Sequence, residues 1–362
     1  MAERLKDIYF TRESINNLAD AVQQYYAQFD RENFLELIYD GGWQERALKD
    51  KMRHTAVCLH AVLPDSYAEA LQILRQVVPS IKGFEALAFP EYVALYGMLN
   101  WDLSLSALGY FTKFGSAEFA IRTFLVRDAH RAMAYMYRWA EDEDAQVRRL
   151  SSEGCQPRLP WGIALPAFQV DPTPILPILE KLKDDGAETV RRSVSNNLND
   201  ISKDHPELVL DICQRWYGES KKTDWIVKHA CRSLLKAGNP RAMNLFGFSD
   251  PRDIHVEDLR VDKEETNIGG EVNITFALLV GDGETRKLRL EYAVDFVKAR
   301  GKISRKVFHI KEVSLTPGSY PITRKHSFVN RSTRVHYPGR HQITIIVNGV
   351  EKGSLFILLE GC

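Results

Sequence analysis

Val147-Arg148-Arg149-Leu150-Ser151-Ser152-Glu153 returns 43 positions later as Val190-Arg191-Arg192-Ser193-Val194-Ser195-Asn196, and this near-repeat decides the fold. A weaker third copy, Val227-Lys228-His229, follows it. A period of about 40 residues suits stacked helix pairs of the HEAT type, each burying its apolar face against the next. One face of each inner helix would then line a concave surface. Arg148, Arg149, Arg191, Arg192 and Lys228 would stand on that surface as basic rungs. A ladder of cations on a curved face invites a long polyanion, and nucleic acid is the obvious one.

The helical pattern extends outward from the repeat. Apolar residues recur at three and four in Ile15, Leu18, Val22 and Tyr25, and again in Ala70, Leu71, Leu74 and Val77. Turn signals interrupt it at Leu63-Pro64-Asp65, Val78-Pro79-Ser80, Asp204-His205-Pro206 and Gly238-Asn239-Pro240. The period changes near Ser249-Asp250-Pro251. Beyond it Val272, Ile274 and Phe276 alternate with polar neighbours, as do Leu288, Leu290 and Tyr292, and Ile343, Ile345 and Val347. Ile346 breaks the last alternation on its outer face. Gly281-Asp282-Gly283, Pro317-Gly318-Ser319 and Asn348-Gly349 supply turn chemistry. The reading is an all-α HEAT-like repeat solenoid over residues 1–249, then an all-β immunoglobulin-like sandwich of six or seven strands over 250–362. The Cys and Trp signature of antibody domains is missing.

Composition narrows the class. With 362 residues there is room for two domains, and 48 basic residues balance 48 acidic ones, so any basic surface must come from segregation. Between 286 and 340 many cations face only Glu291, Asp295 and Glu312. That bias is either a basic edge of the sandwich or ordinary charge protection of an edge strand. Cys58, Cys155, Cys213, Cys231 and Cys362 are scattered, odd in number and without a C-x-x-C pair, which reads as reduced thiols in a cytosolic protein. The polar start lacks a signal-peptide core, and no long uncharged apolar run occurs, so a soluble chain away from membranes is expected. Phosphate-loop, dinucleotide, zinc-protease and serine-hydrolase motifs are absent. No metal and no cofactor are expected.

Carboxylates beside the basic ladder are what remain for chemistry. Glu153 stands four residues after Arg149, on one helical face, and Gly154 and Pro157 end that helix. It either pairs with Arg149 or serves a reaction from the negative end of the helix dipole, where a carboxylate is disfavoured. Glu118 follows Ser116, which reads as an N-cap with Glu118 in the first turn and Arg122 one turn on. Trp161 closes Arg158-Leu159-Pro160-Trp161 at a helix break, as a buried core residue or as a stacking surface for a sugar or base. The acidic run Glu141-Asp142-Glu143-Asp144 reads as capping. Asn196, Asn197, Asn199, Asp200 and Lys203 crowd a segment too rich in amides for an ordinary core helix; Asn and Lys suit phosphate and sugar contacts.

Ser116 to Arg122, Arg149 to Trp161 and Arg191 to Pro206 resemble the HEAT-like-repeat DNA glycosylases of alkylation repair, closest to the AlkC branch. Tyr337-Pro338-Gly339-Arg340-His341 and Val347-Asn348-Gly349 resemble the C-terminal immunoglobulin-like domain that branch can carry. The Asp and paired Trp residues of the related AlkD branch are not found at that branch's spacing. The resemblance implies a cytoplasmic, nucleoid-associated enzyme of base excision repair, a monomer acting on double-stranded DNA containing alkylated bases. It implies excision of cationic 3-methyladenine and 3-methylcytosine without base flipping. Glu118 and Glu153 would stabilise the sugar cation, with Trp161 against the lesion's sugar. Arg122, Arg148, Arg149, Arg158, Arg191, Arg192, Asn196, Asn197, Asn199 and Lys203 would contact DNA, and Arg331 and Arg334 would do so from the sandwich, in the minor groove. Two rivals differ in class: a solenoid that binds structured DNA without chemistry, which would release no base, and a scaffold for an acidic protein partner, which steep salt dependence with DNA and none with protein would separate from the DNA-binding reading.

Overall fold

Short polar caps and proline turns cut residues 8–230 into helices. A computed structural model describes residues 8–331 and 334–361; residues 1–7 of the polar start, and Cys362, lie outside the described residues. The helices are α1 (Arg12–Tyr25), α2 (Arg31–Ile38), α3 (Leu48–Val62), α4 (Tyr67–Val77), α5 (Ala88–Tyr96), α6 (Trp101–Phe111) and α7 (Ile121–Arg127). They continue as α8 (Ala129–Trp139), α9 (Ala145–Glu153), α10 (Pro166–Val170), α11 (Leu176–Leu182), α12 (Glu188–Ile201), α13 (Pro206–Trp216) and α14 (Lys221–Ala230). The four expected turns fall between or just after helices. Thr11, Asp30, Ser66, Asp128 and Asp144 each accept a backbone N–H at a helix start, so Asp144 does the capping expected of the acidic run. Helices α1, α4, α6, α8 and α11 pack successively in one layer; α3, α5 and α7, then α9, α12 and α14, pack in a second. This is the stacking expected of helix-pair repeats, and Val147, Val190 and Val227 are all buried in it. Cys58, Cys155, Cys213 and Cys231 are buried and form no disulfide among the described residues. No described helix is long and apolar enough to cross a membrane.

Residues 231–362 form the second compact unit. The boundary therefore lies ahead of the turn at 249–251, because two short helices, α15 (Arg232–Lys236) and α16 (Pro240–Leu245), belong with the sandwich. The strands are β1 (Ile254–Val261), β2 (Glu265–Asn267), β3 (Glu271–Val280), β4 (Arg286–Val297), β5 (Ile303–Leu315), β6 (Gly318–Ser327), β7 (Gly339–Val347) and β8 (Val350–Glu360). They make one sheet in the order β1-β3-β6 and another in the order β2-β8-β7-β4-β5. Every pair is antiparallel except β2 with β8. Asn348 and Gly349, at φ 46° and 80°, close the β7–β8 hairpin as an Asn-Gly turn with both central residues left-handed. A Cβ on Gly349 would come within 2.5 Å of the Gly238 Cα, so the α15–α16 loop docks where only glycine fits.

Val272, Ile274, Phe276, Leu288, Leu290 and Tyr292 enter the core as their alternation predicts. Ile346 does not stay outside. It is buried on the opposite face, paired across the ladder with Glu291, whose carboxylate meets Arg289 at 2.6 Å. Much of the 286–340 basic bias is answered locally. Arg289 also meets Glu312, Arg305 meets Asp295 and Glu351, and Lys325 meets Glu271. Cation-rich β5 is an edge strand, as the edge-protection reading requires.

Three imidazoles sit in an aromatic nest of this unit. His326, His336 and His341 are buried among Phe296 and Phe328, and the Arg334 guanidinium lies 5.2 Å and 5.1 Å over the rings of Phe296 and Phe308. Burial first, then the Arg334 charge, pushes His326 and His336 down to about 4. An unfolded chain takes up these protons near 6.5, before the folded one does. Stability from these groups is therefore complete above about pH 6.5 and is lost as pH falls toward 4. His326 alone contributes roughly 3 kcal/mol across that window. Urea titrations between pH 7.5 and 4 should show the sandwich transition weakening; a flat profile would contradict the buried neutral assignment.

Candidate active site

Glu118 and Glu153, far apart in sequence, meet at one guanidinium. Arg149, in α9, donates from Nη2 to Glu118 Oε2 at 2.8 Å and lies 3.5 Å from Glu153 Oε1. Its Nη1 reaches Ser116 Oγ at 3.3 Å, and Ser116 donates to Glu118 Oε2 at 2.8 Å. Glu118 sits in the turn before α7, whose N-cap is Ala120 without a side-chain bond. Ser116 is thus a partner of the Glu118 carboxylate and not the helix cap its sequence suggests. Glu153 is the last residue of α9, where the dipole is negative, and it is 9% exposed. The i,i+4 pair with Arg149 exists, but the guanidinium is shared. Two carboxylates and one guanidinium leave one net negative charge, aimed from a helix C-terminus.

Glu118 borders a cleft of about 580 Å³ whose other walls include Phe10, Met52, Phe84, Phe119 and Trp161. Glu153 is not among its walls. Trp161 is 65% exposed, which removes the core reading of this residue. Its backbone is left-handed at φ 65°, a strained state for a bulky side chain. Lys49, in α3, donates to Trp161 O at 2.6 Å and lies 4.5 Å over the Phe119 ring. No sequence signal joins Lys49 to Trp161. The aromatic walls were within reach, because Phe114 and Phe119 flank Glu118 in the chain.

Several residues expected on DNA turn inward. Arg122 is fully buried, with its donors on the carbonyls of Gly154, Gln156, Pro157 and Ile163, so it cannot meet a phosphate. Burial pushes its pKa down to about 10, which still leaves it charged at neutral pH. Arg148 forks onto Asp185 at 2.6 and 3.0 Å and spends Nη1 on Asp142 O and Glu143 O. Arg191 does the same one repeat on, with Nη1 on Asp185 O and Gly186 O. The first arginine of each Val-Arg-Arg copy is therefore a staple from a helix to the loop before it, not a rung. Asn197 is fully buried and donates to Ser152 O at 2.7 Å, while Ser193 meets Ser152 at 3.0 Å. These contacts explain the polar content of α12: they join it to α9. Asn199 is buried as well, and Asn196 half-buried.

Other members of the set face solvent. Arg192 is exposed and pairs with Glu188 one turn away, at 2.5 Å. Lys203 is half-exposed and reaches the buried Asp200 at 2.7 Å. Asp200 also accepts the Arg158 backbone N–H, and the Arg158 guanidinium forks onto Asp204 and touches Gln169. Asp200 thereby ties α12 to the segment before Trp161, a role its place in the amide run does not reveal. In the sandwich, Arg331 is exposed and bridges Arg334 through paired backbone bonds of 2.8 and 2.9 Å, whereas Arg334 lies against phenylalanines.

Comparison with known proteins places this geometry. Residues 108–234 match the family of DNA alkylation repair enzymes, and residues 255–360 match the C-terminal Ig-like domain described for the uncharacterised protein YhaZ. The uncharacterized protein YhaZ of Bacillus subtilis (strain 168) is 44% identical over 352 residues, covering 97% of this chain and 98% of the relative. Among solved structures, the Pseudomonas fluorescens alkylpurine DNA glycosylase AlkC bound to DNA containing an abasic site analog is 40% identical. That match covers 99% of this chain and 100% of the other, with a TM-score of 0.95. With a helical repeat region, an immunoglobulin-like sandwich and similarity over nearly the whole of both relatives, the chain belongs to the AlkC-type family of DNA alkylation repair glycosylases.

Proposed function

We propose that this protein is a DNA glycosylase that releases cationic N3-methylated bases, 3-methyladenine and 3-methylcytosine, from duplex DNA. The observation that carries the reading is the Glu118–Arg149–Glu153 cluster beside a cleft rimmed by an exposed Trp161. A methylated base is already positive and leaves with the C1′–N electron pair without a general acid. The sugar is left with oxocarbenium character, water adds at C1′, and the added water's proton is released. A net negative site stabilises that cation as it forms, and a carboxylate can orient the water. Trp161 packs against the sugar. No cofactor enters the scheme.

The reading includes attack on a base left in the stack. Flipping enzymes hold the extruded base by hydrogen bonds to its edge as well as by stacking on apolar walls, and few groups of this cleft serve the first. Here Ser116 and Glu118 are engaged with one another and with Arg149, Lys49 is bonded to Trp161 O, and the remaining walls are mostly apolar. The test is base release from a methylated duplex, followed chromatographically, with strand scission at the resulting abasic site. A protein that binds the duplex and releases nothing would favour the non-catalytic rival.

Arg192, Lys203 and Arg331 are the phosphate contacts this reading retains. Arg192→Ala should lower the slope of log K against log salt by about 0.9. Arg148→Ala should leave that slope unchanged and instead destabilise the first unit by about 1–2 kcal/mol, since the half-buried Asp185 carboxylate keeps its Ala187 N–H bond but loses both Arg148 donors. Salt titrations and urea denaturation of both variants separate the two roles; the opposite assignment of effects would refute it.

A further inference from the structure

The segment 154–163 leaves α9 and carries Trp161 near its far end. A non-glycine residue held at φ 65° is strained and persists only where its surroundings over-determine it. Those surroundings converge on one side chain from another helix. Arg122, in α7, donates from Nη1 to Gly154 O at 2.9 Å and Gln156 O at 2.7 Å, from Nη2 to Pro157 O at 3.2 Å, and from Nε to Ile163 O. Carbonyls from both ends of the segment thus meet one rigid, planar fork of donors. Gly162 lies against it: a Cβ there would stand 3.2 Å from Arg122 Cδ and Nε. Lys49 holds the carbonyl of Trp161 itself.

The energetics separate this arrangement from ordinary packing. Among the described residues no carboxylate forms an ion pair with Arg122, so a guanidinium is fully buried against neutral acceptors alone. Burying a charge this way is expensive, and apolar side chains of similar volume often stabilise a core better. Fixed geometry is what the fork supplies in return.

We infer that Arg122 is a positioning residue, which through four carbonyls of segment 154–163 holds Trp161 exposed at the rim of the cleft beside Glu118. The inference rests on the proposed role of Trp161 against the sugar. Arg122→Lys keeps the charge but loses the fork. In the full-length protein it should slow single-turnover release of 3-methyladenine at least ten-fold, with affinity for undamaged duplex within about three-fold. Backbone amides of 158–163 should exchange with deuterium at least ten-fold faster.

A general structural defect would not be routed through one tryptophan, so the deciding measurement is a cycle with Trp161→Ala. In that background Arg122→Lys should slow release by less than about two-fold further. If Arg122→Lys is poorly folded, Gly162→Ala provides the same test, because it crowds the guanidinium while leaving Arg122 in place. The inference is overturned if the loop amides keep their exchange rates, or if Arg122→Lys slows the Trp161→Ala protein as much as it slows the parent. Should the parent release no base at all, the proposed function fails, and the exchange measurement alone then decides whether Arg122 holds the segment.

Discussion

Glu118→Gln should lower single-turnover release of 3-methyladenine by roughly a hundred-fold or more, and Glu153→Gln by a smaller factor of about ten-fold or more, with duplex affinity almost unchanged. The size follows from charge. A carboxylate about 4 Å from the developing sugar cation is worth roughly 4 kcal/mol at an effective dielectric near 20. Arg149 touches both carboxylates and offsets part of that, so two decades of rate, about 2.7 kcal/mol, is the expected remainder. Glutamine keeps the shape and an oxygen for Arg149, so the cluster should stay assembled while its charge changes from one net negative to neutral. Glu118 is expected to dominate because it lines the cleft, whereas Glu153 adds its field from behind, at the negative end of α9. Single-turnover rates within about three-fold of the parent for both variants would sink the assignment.

Periodicity was legible wherever burial alone sets it. Alternation in Val272, Ile274 and Phe276 gave strands, the stripes at Ile15 and Ala70 gave helices, and the Val-Arg-Arg spacing gave the repeat. The partners of polar groups were not legible, because they lie on other elements. Arg148 and Arg191 have the composition of a phosphate-binding ladder, yet each turns back onto carbonyls of the loop before its own helix, and Arg148 also onto Asp185 of the next repeat. Asn197 reads as a surface amide until α9 is laid beside it. Trp161 fails in the opposite direction: its size argues for burial, yet it stands exposed with a positive φ, in a segment bonded to Lys49 of α3 and Arg122 of α7. That Glu118 and Glu153 lie near arginines in the chain was visible in one dimension. That a single arginine joins them was not.

Removing the sandwich should abolish most excision while leaving the helical unit folded. The informative cut is after Ala230, where the first compact unit ends, and not near Asp250. A chain ending near Asp250 would keep α15 and α16 but lose the hairpin they dock on. The Gly238 and Gly349 backbones pack there too closely for any Cβ, and Asn348 donates to Ser249 O at 2.8 Å. Residues 8–230 stack helix on helix and bury their own apolar faces, so a chain ending at Ala230 should keep its helical circular dichroism. What it loses is a set of exposed cations at one end of the sandwich. Arg300 and Lys302 lie in the β4–β5 loop and Arg331 in the β6–β7 loop, and the two loops are neighbours because Lys298 Nζ reaches Val335 O at 3.5 Å. If two of these residues meet phosphates, the shortened chain should show a salt slope smaller by roughly 2. Excision should fall at least ten-fold further than affinity, because DNA bent by tens of degrees costs on the order of 1–6 kcal/mol that the lost contacts no longer offset. Release rates, salt titrations and circular dichroism on the same preparation decide the matter. Undiminished release would make the sandwich an accessory to the reaction, and loss of the helical signal would show that the first unit does not stand alone.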